Sequence, residues 1–361
     1  MNDKVLISGR QAVYLVIFSI IPASVLFIPG DPSAIIGHDA WISIIPATFL
    51  AAVMIFYPLA DMGKRFPGET IIQYSEKIAG KYAGRLFSVM IIYYYFQLHC
   101  WTLRSFGEFM SVFLPETPVM ALYFTISLIT VYAAKNGLEV IGRCSEFVFP
   151  FGFMFLAVIS LLSLEDVNAK HLRPVLDSGM GPLLRATLAP LDWLATGVTF
   201  GAVTAFIADQ SKIKRVGLIA AGVSGLVLIV FSLVSIAVFG PLVEDLNFSY
   251  LALAGYVKVG GFLERIEVLF VVAWVAWIFM AIAFSSYVTS LSLAQFMRLK
   301  DYRFLILPET VLAVGYSIYE YKSLMEMSYL FSIAHLYYLI FSLGVPFLLW
   351  LIARARFWQR G

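Results

Sequence analysis

Two short stretches of this 361-residue chain carry residue types that interrupt a helix inside an otherwise apolar setting. One reads Ile20-Ile21-Pro22-Ala23-Ser24-Val25-Leu26-Phe27-Ile28-Pro29, the other Thr196-Gly197-Val198-Thr199-Phe200-Gly201. Pro22 lacks a backbone N–H and its ring crowds the preceding turn. Each glycine costs about 1 kcal/mol against alanine in a helix interior. An interrupted helix offers free N–H groups to a carboxylate and free C=O groups to an ammonium or cation. Ala23 and Ser24 keep their N–H groups, Ser24 and Thr199 add hydroxyls, and Phe200 adds a ring. Paired interruptions therefore predict a site for a small polar ligand, an amino acid fitting best. The plain alternative makes Pro22 a kink, and Gly197 and Gly201 close-packing contacts.

Three further sets bear on that site. Tyr94, Gln97 and Trp101 recur at i, i+3 and i+7, which puts them on one helix face. Ser285, Ser286 and Thr289 offer hydroxyls to a candidate cation site, or simply serve as small residues at a helix contact. Arg104 and Glu108 stand at i, i+4 and form a candidate ion pair, structural or gating. Other chemistry finds no support. His38, His99, His171 and His335 lack metal-ligand spacing. No phosphate-binding G-x-x-x-x-G-K-[ST] run occurs, and no nucleophile–base set stands out. Neither an enzyme, a cofactor nor a metal is expected.

The elements that position these residues are membrane helices. Hydrophobic residues make up 61 % of the chain and charged residues 13 %, about half the share a soluble surface needs. Net charge is +2, too little for a nucleic-acid partner. The two cysteines, Cys100 and Cys144, build no disulfide scaffold. The first apolar run starts without a cleavage signal, so no removable leader is expected.

Crossing a bilayer core of about 30 Å takes about 20 helical residues. Ten windows qualify: Gln11–Pro29, Ala40–Ala60, Leu86–Val112, Val119–Ala134, Ser145–Leu164, Leu188–Ala208, Val216–Phe239, Ile266–Met297, Phe304–Tyr319 and Met327–Ile352. With the N-terminus inside, most of the 25 Lys and Arg residues fall on cytoplasmic connections, so both termini face the cytoplasm. Five spans in each half, residues 1–164 and 165–361 of one integral membrane domain, make the halves inverted repeats with spans one and six equivalent. The loops Asp61–Arg85 and Gly240–Arg265 each suit a short helix, the first with Ile71, Tyr74, Ile78 and Tyr82 on one face.

Ordered blocks along the chain carry a family resemblance: Ser8-Gly9-Arg10-Gln11, Asp39-Ala40-Trp41-Ile42-Ser43, Arg65-Phe66-Pro67-Gly68-Glu69-Thr70, Gly107-Glu108-Phe109 with Leu114-Pro115-Glu116-Thr117-Pro118, Gly137 through Arg143, Glu146, Pro150, Gly240-Pro241 and Glu264-Arg265-Ile266-Glu267. The sequence resembles the B-subunit, or spore-permease, family of nutrient germination receptors, within the amino acid–polyamine–organocation transporter superfamily. The resemblance implies ten helices in a LeuT-like 5+5 inverted repeat with helices 1 and 6 broken. It also implies nutrient sensing at the spore inner membrane beside an A-type membrane subunit and a C-type lipoprotein. The superfamily's first-span pattern G-[AST]-G-I-F-x-L-P is altered here, with Pro22 for the first glycine and Ser24 for the second. Ala202 stands where relatives often carry an acid in span six. The expected function is a germinant-sensing membrane subunit that binds its ligand between spans one and six, against spans three and eight. The alternative is a proton- or cation-coupled amino acid transporter, opposed by Pro22, Ala202 and the lack of an evident buried proton carrier.

Overall fold

A computed structural model describes residues 6–246, 248–256, 266–320 and 335–357. Among them the chain is helical, apart from one parallel bridge between Ile7 and Ile207. Seven stretches are long and apolar enough to cross a membrane: Gly9–Phe27, Gly30–Arg65, Lys81–Phe113, Leu138–Asp166, Gln210–Asp245, Glu267–Phe296 and His335–Arg356. Val119–Lys135 is a shorter apolar helix. From the charge count, Lys4, Lys258, Arg265, Lys322 and Arg360 lie outside the described residues, as does 327–334 of the tenth window.

Helix α1 (Gly9–Phe27) opens on a capping box, in which the Ser8 hydroxyl accepts from Gln11 N and the Gln11 side chain accepts from Ser8 N. It was expected to break at Pro22. Instead it runs through Pro22 unbroken. The reason is its setting. Most of its residues are buried, and it packs against α8 (Leu138–Leu162), α12 (Ile213–Phe239) and α14 (Ile266–Phe296). Packing can hold a proline-bearing helix straight in a membrane, and here Trp274 Nε1 donates to the Pro22 carbonyl at 2.7 Å and fastens the helix to α14, while the carbonyl that loses its helical donor is that of Phe18. The interruption falls later, at Ile28–Pro29, before α2 (Gly30–Ile36).

Next come α3 (Ala40–Ala51), a π turn at Ala52–Phe56 and α4 (Tyr57–Arg65). The loop helix α5 (Ile71–Ala79) forms as expected and buries Ile71, Tyr74 and Ile78. Tyr82, assigned to the same face, is instead 87 % exposed. Gly80, at φ +84°, ends α5, so Tyr82 belongs to the next helix. That helix, α6 (Lys81–Phe113), has 33 residues and is about 50 Å long. Its extra turn packs on α5 so closely that a Cβ on Gly84 would sit 2.4 Å from Ser75 O.

Helix α7 (Val119–Lys135) precedes α8, α9 (Met180–Ala186) comes next, and span six follows as α10 (Leu188–Ala195) and α11 (Phe200–Val203). Beyond α12, α13 (Ser249–Tyr256) occupies the second long connection. Then come α14, α15 (Arg303–Glu320) and α16 (His335–Arg356), the last with a π turn at Ile340–Gly344. Helix α14 is the central post and packs on α1, α6, α7, α8 and α15. At the end of the bundle carrying α5, Asp61 joins three helices: it pairs with Lys214 of α12 at 3.0 Å and accepts from Trp350 of α16 at 3.1 Å.

Small residues set the helix spacing. A Cβ on Gly152 of α8 would lie 1.9 Å from Trp277 Nε1 of α14, and that nitrogen donates to Val148 O at 3.0 Å. Gly152→Leu should therefore cost about 1–3 kcal/mol through overpacking. The thermal unfolding midpoint of the purified chain should fall while its helical circular dichroism is retained; an unchanged midpoint would contradict the α8–α14 contact.

Candidate functional site

Span six changes its winding where the sequence predicts an interruption. After α10, Thr196–Thr199 form a 3₁₀ turn, α11 makes one α turn, and Thr204–Phe206 return to 3₁₀. Such a change inside a helix marks a hinge or strain, and it redirects carbonyls that then need partners. Two neighbouring helices supply them. Tyr95 OH of α6 donates to Val198 O at 3.0 Å. The Thr196 hydroxyl donates to Ser19 O of α1 at 2.7 Å, and the Ser19 and Thr199 hydroxyls lie 3.0 Å apart. Ser19 and Tyr95 were not among the predicted site residues. A tyrosine and a serine facing an interrupted span were the available signal.

The predicted residues are brought together only in part. Pro22, Ala23 and Ser24 sit inside the continuous α1, with the Ser24 hydroxyl bonded to Ile21 O at 3.2 Å. In this conformation they form no open cradle of N–H groups. Gly197 faces Phe56, whose Cζ would lie 2.4 Å from an added Cβ; Gly201 faces Leu59 and Ile71. Phe200 packs on Phe56, ring centroids 6.0 Å apart. Tyr94 and Trp101 meet edge to face at 6.1 Å, and Trp101 meets Tyr338 of α16 at 4.4 Å. Gln97 turns away and donates to Glu320 at 2.8 Å.

The hydroxyls of α14 divide likewise. Ser285 bonds Ile282 O and Thr289 bonds Ser285 O, both within their own helix. Ser286 reaches Glu309 Oε2 of α15 at 3.1 Å, not α1. Arg104 pairs with Glu108 and also donates to Ser317 O at 3.2 Å, which fastens α6 to α15.

Two buried ion-pairing sets correct the expectation that no proton carrier is buried. His99 Nδ1 lies 2.6 Å from Glu309 Oε1, with both side chains almost wholly enclosed. His335 Nδ1 lies 3.0 Å from Asp192 Oδ2. Each pair joins residues more than a hundred positions apart, so spacing within one helix hides them. The available signal was the rule that an ionisable residue inside a span marks function, applied to Asp192 and Glu309. His38, buried Asp39 and exposed Asp177 bring ligand atoms within 4.8 Å of one another, a cluster their sequence spacing conceals. A cleft of about 540 Å³ lies between α5 and the C-terminal end of α14, lined by Gln73, Glu76, Gln295 and Arg298 and reached by Phe206 at the end of span six.

A distorted span clasped between two long helices is an architecture of secondary transporters, and comparison with solved structures gives it a type. The crystal structure of MhsT in complex with L-phenylalanine superposes with a TM-score of 0.75 at 13 % identity, covering 98 % of this chain and 89 % of that one. A Na⁺-coupled sialic acid symporter superposes at 0.63, with 11 % identity over 91 % and 76 % of the two chains. The fold is LeuT-like.

Residues 6–325 match the family model described as spore germination protein (spore permease), and the chain belongs to that family, the B subunits of germinant receptors. It is 26 % identical over 311 residues to spore germination protein KB of Bacillus subtilis (strain 168), covering 83 % of this chain and 81 % of the relative. It is 28 % identical over 302 residues to YndE of the same organism, covering 81 % and 82 %. It is thus a non-enzymatic, multi-pass integral membrane protein of transporter-like build that serves as a receptor subunit.

Tyr95→Phe removes the donor to Val198 O, a loss of about 0.5–1.5 kcal/mol plus the cost of a buried unpaired carbonyl. Amide hydrogen exchange across residues 196–201 should speed up in that variant. Rates equal to the wild type would show that Tyr95 does not hold the turn.

Proposed function

We propose that this chain is the nutrient-sensing membrane subunit of a germinant receptor, binding a small nutrient at the distorted middle of span six. The observation that carries the reading is the 3₁₀ turn Thr196–Thr199, held by Ser19 and Tyr95 on two other helices. A ligand that competes for those hydrogen bonds changes the relation of spans one, three and six. Binding moves a conformational equilibrium only by its differential affinity for the two states, and coupling of about 1–3 kcal/mol is typical. The ligand contacts proposed are Pro22, Ala23, Ser24, Tyr94, Gln97, Trp101, Gly197, Thr199, Phe200 and Gly201, reached when the closed packing opens. An amino acid is the favoured nutrient, a reading supported by the L-phenylalanine that a structural neighbour binds.

The wider arrangement follows from the same reading. Ten spans form five-plus-five inverted repeats, residues 1–164 and 165–361, with α15 and the α10–α11 segment added to the apolar helices. Both termini face the cytoplasm, the membrane is the spore inner membrane, and the partners are an A-type membrane subunit and a C-type lipoprotein. Arg104 and Glu108 hold α6 to α15 as a structural or gating pair, and Ser285, Ser286 and Thr289 are kept as a candidate cation site.

The second reading is a proton-coupled amino acid transporter, and one observation favours it. His99–Glu309 and Asp192–His335 are buried pairs of the kind that carry protons through membranes. Fold does not decide between the two. The purified chain in liposomes, given labelled amino acids, should bind without concentrating them. Accumulation driven by an imposed proton gradient would make the transporter reading correct.

Gly197→Ala pushes a Cβ into Phe56. Spores carrying it should keep normal subunit levels while the germinant response shifts to roughly tenfold higher concentration, the effect of about 1.4 kcal/mol. An unchanged dose response would mean that span six takes no part in sensing.

A further inference from the structure

A second acidic residue stands beside the Asp192–His335 pair. Asp31, in the first turn of α2, which packs on α10, lies beside Trp193 and within electrostatic reach of both Asp192 and His335. The three groups come from α2, α10 and α16, elements drawn from both halves of the chain. Tyr94 of α6 is in electrostatic contact with Asp192.

The charges do not balance. A protonated His335 neutralises one carboxylate and leaves one negative charge over; a neutral His335 leaves two. Among the described residues no lysine or arginine pairs with either acid, since Arg104 is engaged by Glu108. Asp192 is 95 % buried, and its Oδ1 has no hydrogen-bond partner while Oδ2 holds His335. An uncompensated buried carboxylate is strongly unfavourable, so the cluster takes up either a proton or a bound cation. Asp31 is half-buried, which gives that charge a way in.

We infer that Asp31 and Asp192, beside His335, seat a monovalent cation between α2, α10 and α16. The inference rests on the proposed sensing function and deepens it. The cation is either the ammonium group of the nutrient or an inorganic alkali ion bound with it. Either one, held by elements of both halves, draws those elements together.

The test uses the full chain in lipid nanodiscs and its thermal unfolding midpoint. The probes are ethylammonium, sodium and potassium chlorides, with choline chloride as the ionic-strength control. Saturable stabilisation by ethylammonium alone identifies a nutrient amine; stabilisation by sodium or potassium identifies an inorganic ion. In both cases Asp192→Asn and Asp31→Asn should raise the half-saturating concentration at least about tenfold, as expected for a lost hydrogen bond to a charged group. Glu309→Gln, which alters the other buried pair, should not. If Asp192→Asn does not fold, the half-buried Asp31→Asn decides alone. Equal effects of all four salts, or saturation unchanged in the folded variants, overturn the inference. Labelled nutrient that still binds in that event leaves the sensing function standing, whereas cation stabilisation without nutrient binding removes the sensing function alone.

Discussion

Hydrocarbon offers no hydrogen bonds, so every backbone group that leaves the helical ladder inside a membrane must find a partner in the protein. In this molecule that constraint concentrates on four residues, Thr196–Thr199. Tyr95 and Ser19 satisfy the redirected polar groups, and in doing so they fix the approach of α6 and α1 to span six. The buried face of α6, the unbroken course of α1 and the close seat of Gly197 on Phe56 are consistent with one closed arrangement around that turn.

Much of this was legible in the sequence. Apolar windows locate most helices, and the ordered blocks from Ser8 to Glu267 identify the family. The glycines of span six mark the distortion to within a residue or two. The position of the break in α1 was not legible. Proline says that one helical hydrogen bond is missing, the one to the Phe18 carbonyl, but not whether packing keeps the helix straight, and the Trp274 indole that fastens Pro22 O to α14 lies 252 positions away. Tyr82 was misassigned for a local reason, because Gly80 at positive φ resets the helix phase between α5 and α6. The buried acid–histidine pairs were hidden because each partner reads as a lone polar residue in its own span.

Those pairs bear on what the fold is used for. A receptor subunit with a transporter's fold can use that fold's conformational equilibrium without its ion stoichiometry. His99–Glu309, with Ser286 on the second carboxylate oxygen, ties α6, α14 and α15 together, one turn of α6 from Tyr95. Asp192–His335 instead sits one turn before the 3₁₀ segment and links it to α16. The first reads as a fastening of the scaffold. The second is placed to register what happens at the hinge.

The central claim is that the 3₁₀ turn of span six answers to the nutrient. Hydrogen–deuterium exchange of the assembled receptor, measured with and without a saturating germinant, tests it most directly. The account predicts changed protection in residues 193–204 of this chain, together with the facing turn of α1 around Ser19. Identical exchange in both segments, while a partner subunit changes on germinant addition, would contradict it.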